Sequence, residues 1–222
     1  MLRDFLNGLL NLIYPNHCLL CKRHSLDAEP LILCQSCTDK LEKNPPPFFR
    51  KGNYYFEQCF SPFQYSGPME DLIHLFKYRN RPQLAKPLSQ IMIKFMEEYN
   101  LALKGFDCLA PIPLHPSKLR EREYNQSELL AQPLAAAFNI PLSVGNLQRR
   151  RFTQPQSSLK KEARWDNVRG AFAVKEAAGF TGRKILIVDD LLTTGATCNE
   201  AARVLKESGA ECVDVLTLAI AK

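Results

Sequence analysis

Residues 185–197 restrict the fold more than any other part of the chain. They read Ile185-Leu186-Ile187-Val188, then Asp189-Asp190, Leu191-Leu192, and Thr193-Thr194-Gly195-Ala196-Thr197. A continuous branched apolar run predicts a strand buried on both faces, as in a parallel sheet. The two carboxylates stand at its C-terminal end, with a turn expected after Asp190. The threonine-rich turn then opens a predicted helix over residues 195–208, closed by Gly209. Ligands of open α/β sheets bind beyond the C-terminal ends of the strands. A helix N-terminus offers unpaired N–H groups and partial positive charge, which suit a phosphate. Residues 193–197 are therefore the candidate phosphate turn. Gly195 permits close backbone approach, and the hydroxyls of Thr193, Thr194 and Thr197 add hydrogen bonds. Asp189 and Asp190 would repel a phosphate. They suit ribose hydroxyls, or a magnesium ion that also holds other anionic groups. A plain N-capped helix after a buried strand would need only one of these residues. Neither a Walker A run nor a Gly-x-Gly-x-x-Gly fingerprint is present, which argues against nucleoside triphosphate and dinucleotide sites.

Flanking segments give that turn a sheet to sit in. Apolar runs over residues 108–114, 184–188 and 212–219 predict buried strands, and 172–174 a short one. Helical patterning covers 69–78, 84–99 and 128–138, and the aromatic stretch 54–65 reads as strand. Strand and helix alternate from residue 108 onward, which predicts an α/β domain with a mostly parallel sheet. Near the start, Leu2, Phe5, Leu6, Leu9, Leu10 and Ile13 recur at helical spacing until Pro15, predicting an N-terminal helix whose apolar face packs on the body. Asn44 leads into Pro45-Pro46-Pro47, a stiff extended stretch that marks a boundary. Two units are expected, 1–47 and 48–222. No run approaches the roughly 18 apolar residues of a membrane span, and signal-peptide features are lacking. A cytoplasmic, soluble chain is the expectation.

The net charge is only +6, weaker than that of a dedicated nucleic-acid binder, but it is concentrated. Residues 115–169 hold ten basic and five acidic side chains, so nearly all the excess lies there and anions are drawn to the middle of the chain. Lys118, Arg120, Arg122, Arg149, Arg150, Lys160 and Lys161 are candidates for a nucleic-acid backbone. Trp165 lies among such residues, placed either to stack on a base or to anchor its segment to the core. His115 and Ser117, just past a predicted strand, are candidates for a diphosphate.

Four of the 8 cysteines sit as Cys18-x-x-Cys21 and Cys34-x-x-Cys37. Two such knuckles supply four thiolates at tetrahedral angles, the ligand set of structural zinc. Zinc would order a segment too small for its own core. His17 and His24 lie nearby but are not needed as ligands. Paired and scattered cysteines do not form a disulfide framework, which points to a reducing compartment.

The acidic strand end and threonine turn resemble the binding motif of type I phosphoribosyltransferases. More widely, Pro111-Ile112-Pro113-Leu114-His115-Pro116, Asn125-Gln126-Ser127-Glu128-Leu129-Leu130-Ala131, Thr153 with Gln156 and Leu159, Arg164 with Asn167, Ala171-Phe172 and the cysteine pairs resemble the ComF family. That resemblance implies a type I phosphoribosyltransferase fold, a mostly parallel sheet flanked by helices, with a small N-terminal four-cysteine zinc module. It implies phosphoribosyl pyrophosphate with magnesium as ligand: Asp189 and Asp190 on the ribose hydroxyls, residues 193–197 on the 5-phosphate. Residues 110–117 would form the pyrophosphate loop. Arg151, Gln156 and Arg164 would lie on a mobile segment closing over the ligand. One departure stands out: the family's usual Arg-Gly-Phe-Asn-Gln reads Arg122-Glu123-Tyr124-Asn125-Gln126 here. The resemblance also implies a part in natural transformation, acting in the cytoplasm on internalised single-stranded DNA. A DNA-uptake helicase or other competence protein would be its partner. An active phosphoribosyltransferase of unknown acceptor, with no direct DNA role, fits the same residues.

Overall fold

The computed structural model describes residues 17–24, 33–46, 53–101, 105–154 and 163–221. The helix expected over residues 2–13, and Gln156, Lys160 and Lys161, lie outside these residues. Helix α1 (Gln35–Thr38) carries part of the second cysteine pair. Then come β1 (Cys59–Phe60), β2 (Phe63–Gln64), α2 (Pro68–Tyr78), a 3-10 turn and α3 (Ala85–Glu98). The second half runs β3 (Cys108–Pro111), α4 (Pro116–Arg122), α5 (Gln126–Phe138), β4 (Leu147–Arg149), α6 (Ala163–Val168) and β5 (Phe172–Val174). It closes with β6 (Lys184–Leu192), α7 (Ala196–Glu207) and β7 (Cys212–Ile220).

The main sheet has the order β1-β7-β6-β3, with β2 also on β7, and every pairing is parallel. β6 is central, and the period-2 alternation of a strand splits its residues between two cores. Leu186 and Val188 pack with α2, α3 and α5, while Ile185 and Ile187 pack with α7 and the antiparallel pair β4–β5. Covering on both faces is why the strand is apolar without interruption.

Three features differ from the sequence expectation. The stretch 54–65 is not one strand but two short ones on β7, separated by Ser61 and Pro62. Proline has no N–H to give to a ladder, so the edge breaks there. β6 also does not stop at the carboxylates. Leu191 and Leu192 pair with Ala219 and Ile220, so the turn begins two residues later than expected. Finally, β4, α4 and α6 form in segments whose polar, basic composition hid them.

The cysteine segment is tied to this body. Residues 42–44 run beside 62–64, with Asn44 N–H donating to Pro62 O at 2.8 Å and Gln64 N–H to Glu42 O at 2.9 Å. Among the described residues no helix is long and apolar enough to cross a membrane.

Candidate functional site

The strand end and the turn open onto a cleft of about 820 Å³. β6 presents its two carboxylates on alternate sides. Asp189 accepts from the Ser127 hydroxyl of α5 at 2.9 Å and from the Asp190 N–H at 2.9 Å. Asp190 is 4% exposed and meets the Lys77 ammonium of α2 at 2.7 Å. Burial first, and then the adjacent Asp190 charge, push the Asp189 carboxyl up to about 6; Lys77 and the two hydrogen bonds pull the other way. Burial alone would lower Lys77, but Asp190 and Asp189 outweigh it and the ammonium is held above its ordinary range. Cys198, at 3.9 Å from Asp189, is pushed well up by burial and then by that carboxylate, so it stays a thiol.

The turn has the backbone its sequence requires. Gly195 sits at φ 84 as the N-cap of α7, a left-handed conformation that a side chain would strain. The Thr194 hydroxyl accepts from the Ala196 N–H at 3.3 Å, satisfying one N–H of the helix start. Thr194, Gly195 and Ala196 are buried, while Thr193 and Thr197 line the cleft. Asn199 accepts the Tyr55 N–H at 2.6 Å, pinning the first turn of α7 to the chain before β1.

Facing the carboxylates, His115, Lys118, Arg122, Arg149 and Arg164 line the same cleft. His115 caps α4 through Nδ1, which accepts from the Ser117 N–H at 3.3 Å and pairs with the Ser117 hydroxyl at 2.7 Å. Arg122 donates to Gln126 at 2.7 Å and lies 5.3 Å over the Tyr78 ring. Arg149 stacks 5.3 Å over Phe172, and its Nε is buried without a partner. Burial pulls its pKa down, offset in part by the Asp189 charge. Lys118 pairs with Glu121 at 2.7 Å.

Other predicted residues do not line the cleft. Arg151 donates to the backbone oxygens of Asn167 and Arg169, at 2.9 and 2.7 Å. Asn167 in turn bonds both N and O of Gln154, so the two ends of the 154–167 segment are held together. Trp165 stacks on Tyr54, with ring centroids 5.9 Å apart, and Tyr54 stacks on Phe56. That is the geometry of an anchor on the core. Arg120 and Arg150 are exposed outside the cleft.

Lys77 was missed in the sequence. Its signal was positional: it follows Ile73 by four on a helix whose Met69, Leu72, Ile73 and Phe76 are buried, so it had to point inward and find an acid. Ser127 was visible only as part of a motif. Asn125 explains its placement, capping α5 by accepting from the Ser127 N–H at 3.2 Å and donating to Ile112 O at 3.0 Å. Glu123 ends α4 at φ 70, the left-handed position that the family's glycine would occupy without strain.

A second cluster lies in the cysteine segment. The sulfurs of Cys18, Cys21, Cys34 and Cys37 all lie within 4.8 Å of one another, an arrangement that can hold a metal such as zinc. The tight turn after Cys21 puts Lys22 at φ 60, and Cys18 accepts the Lys22 N–H at 2.9 Å. The Ser36 hydroxyl leads the groups that lower Cys34 to about 6, while burial, followed by its sulfur neighbours, pushes Cys37 up to about 12. Thiols so close cannot all ionise together without a cation, and a tetrahedral dication answers that requirement.

Comparison with known proteins agrees with this architecture. Residues 125–222, from the start of α5 through the acidic strand to β7, match the phosphoribosyl transferase domain family. The chain is 30% identical over 202 residues to DNA utilization protein YhgH of Salmonella typhimurium, spanning 90% of this chain and 83% of that protein. It is 31% identical over 158 residues to competence protein F of Haemophilus influenzae, spanning 70% and 69% of the two chains. With competence protein ComFC of Bacillus subtilis it shares 31% over 150 residues, 67% of this chain and 58% of the other. Similarity that covers 90% of the chain extends well beyond the matched domain: the chain belongs to the ComF family and is built on the type I phosphoribosyltransferase fold.

Proposed function

We propose that this chain binds phosphoribosyl pyrophosphate with magnesium and handles internalised single-stranded DNA in the cytoplasm, in natural transformation. The observation that carries the ligand reading is a carboxylate pair, Asp189 half-buried and Asp190 buried, set just before a glycine-containing turn and a helix N-terminus, in a cleft lined by cationic side chains. Asp189 and Asp190 accept the ribose hydroxyls. The N–H groups at the start of α7, with Thr193 and Thr197, hold the 5-phosphate. His115, Arg122, Arg149 and Arg164 face the pyrophosphate and shield it from water. Magnesium supplies charge neutralisation on the pyrophosphate when bound. The DNA reading draws on the names of the relatives and on exposed cations such as Arg120 and Arg150 beside the cleft. A DNA-uptake helicase or another competence protein is the partner that fits. The cysteines hold zinc as a structural ion, with residues 1–47 as the zinc module, docked on the body through residues 41–44, and 48–222 as the phosphoribosyltransferase-like domain.

Calorimetric titration of the zinc-loaded protein with phosphoribosyl pyrophosphate and magnesium tests the ligand reading. Saturable heat in the native chain, lost in Asp189→Ala/Asp190→Ala, supports it. No heat and no thermal stabilisation would remove it.

A further inference from the structure

The cleft holds an ion pair that its proposed ligand does not explain. Lys77 reaches from α2 to Asp190 at 2.7 Å, and its side chain is only 19% exposed. Arg149 lines the same cleft, where the Asp189 charge offsets part of the burial that lowers it. The floor of the cleft therefore carries two carboxylates and two cations from the chain itself. Such a floor has little net charge with which to attract a free dication. A small hard cation needs several oxygen ligands and gives up its water reluctantly. Here one Asp190 oxygen is taken by an ammonium, and one Asp189 oxygen by a hydroxyl and an N–H.

We infer that Lys77 is a positioning residue that acts as a built-in counter-ion: it holds Asp190 for ribose hydroxyls and keeps free divalent cations off the carboxylate pair. The inference rests on the ligand reading above. Metal then enters only on an anionic ligand that supplies its own oxygens. When ribose hydroxyls reach Asp190, the ammonium remains in the cleft as a counter-charge to the incoming anion. A salt bridge serving only to hold α2 onto the sheet would not alter metal binding.

The test uses manganese, a paramagnetic stand-in for magnesium, with the free ion counted by electron paramagnetic resonance against the zinc-loaded full chain. The native protein is expected to leave submillimolar manganese free. Lys77→Met and Lys77→Gln should each gain one manganese site at least tenfold tighter than the native chain, and adding Asp190→Asn should remove it. Lys77→Arg keeps the cation and should gain none. Native protein that binds free manganese, with loss in Asp190→Asn, overturns the inference without recourse to any Lys77 variant. So does manganese binding by Lys77→Arg, or folded Lys77→Met and Lys77→Gln, judged by thermal melting, that gain nothing. Titration of the native chain with phosphoribosyl pyrophosphate and manganese separates the two ideas. Failure there, with the gain still seen in Lys77→Met, removes the ligand and leaves the counter-ion.

Discussion

The cysteine module and the carboxylate cleft are both crowded with groups that repel one another when ionised, and they resolve the repulsion differently. In the module four sulfurs face one another within 4.8 Å, and a metal from outside could supply the charge that balances them as thiolates. In the cleft the chain brings its own cations, Lys77 from α2 and Arg149 from β4. The first solution is assembled from two local turns. The second needs elements separated by more than a hundred residues to arrive at the same strand end. A centre of the first kind would depend on the metal it holds. One of the second kind depends on the tertiary fold.

The comparison breaks most visibly at the module. Cys37→Ser, or removal of zinc by chelation, should take the metal content from one ion to none. It should also unfold residues 17–24 and 33–38, since a structural zinc site contributes on the order of 10 kcal/mol to such segments. Affinity for phosphoribosyl pyrophosphate should change less than tenfold. Elemental analysis, hydrogen exchange and calorimetry on one preparation check all three. Joint loss of zinc and ligand would mean that the two centres are one cooperative unit.

At the cleft the effects reverse. Asp189→Ala/Asp190→Ala should cost at least a hundredfold in ligand affinity, because hydrogen bonds to charged groups contribute about 1.5–3 kcal/mol each. Zinc content should not move. Lys77 then lacks its carboxylate, so a drop of about 3 kcal/mol in stability is expected by chemical denaturation.

That contrast also explains what could be read from the sequence. The clustering of the four cysteines was legible because it follows from spacing alone, and so was the strand, acid pair and helix start of residues 185–197, which are contiguous. The parallel sheet was legible because β6 and β7 are apolar on both faces. The two-residue extension of β6 was not, because Leu191 and Leu192 are held by pairing with Ala219 and Ile220 far along the chain. β4 is three residues long and exists through its pairing with β5 and the core beneath it, so it left no periodic signal, whereas β5 is the short strand expected over 172–174. Lys77 was hidden for a related reason: its partner Asp190 is 113 positions away, as the two residue numbers show.

A third way to sharpen the comparison is pH. The native Asp189 carboxyl titrates near 6 against an ordinary value of 3.8. Between about pH 4 and 6 the folded state therefore holds a proton that the unfolded state has released, and stability falls as pH rises through that window. Asp189→Asn removes the penalty while keeping the oxygen that accepts from Ser127. It should stabilise the ligand-free protein by about 1–3 kcal/mol above pH 6.5, with the difference vanishing below pH 4. Denaturant melts at pH 4, 5.5 and 7.5 check this. A constant difference across that range would place the titration elsewhere.

The smallest effect concerns Glu123. It occupies a left-handed backbone position, φ 70, at the end of α4, and its carboxylate accepts from Asn80 at 3.0 Å. Left-handed backbone costs a residue with a side chain about 1–2 kcal/mol, and the Asn80 bond is exposed and returns little of that. Glu123→Gly should therefore stabilise the fold by about 0.5–1 kcal/mol after the added freedom of glycine in the unfolded chain is subtracted. It also removes a negative charge from the rim of the cleft, so affinity for an anionic ligand should rise by about two- to fivefold at low salt and less at high salt. Titrations at two ionic strengths check the charge, and thermal melts check the strain. An affinity gain that ignores salt would assign the effect to backbone freedom of the loop, and make Glu123 a conformational rather than an electrostatic departure from the family pattern.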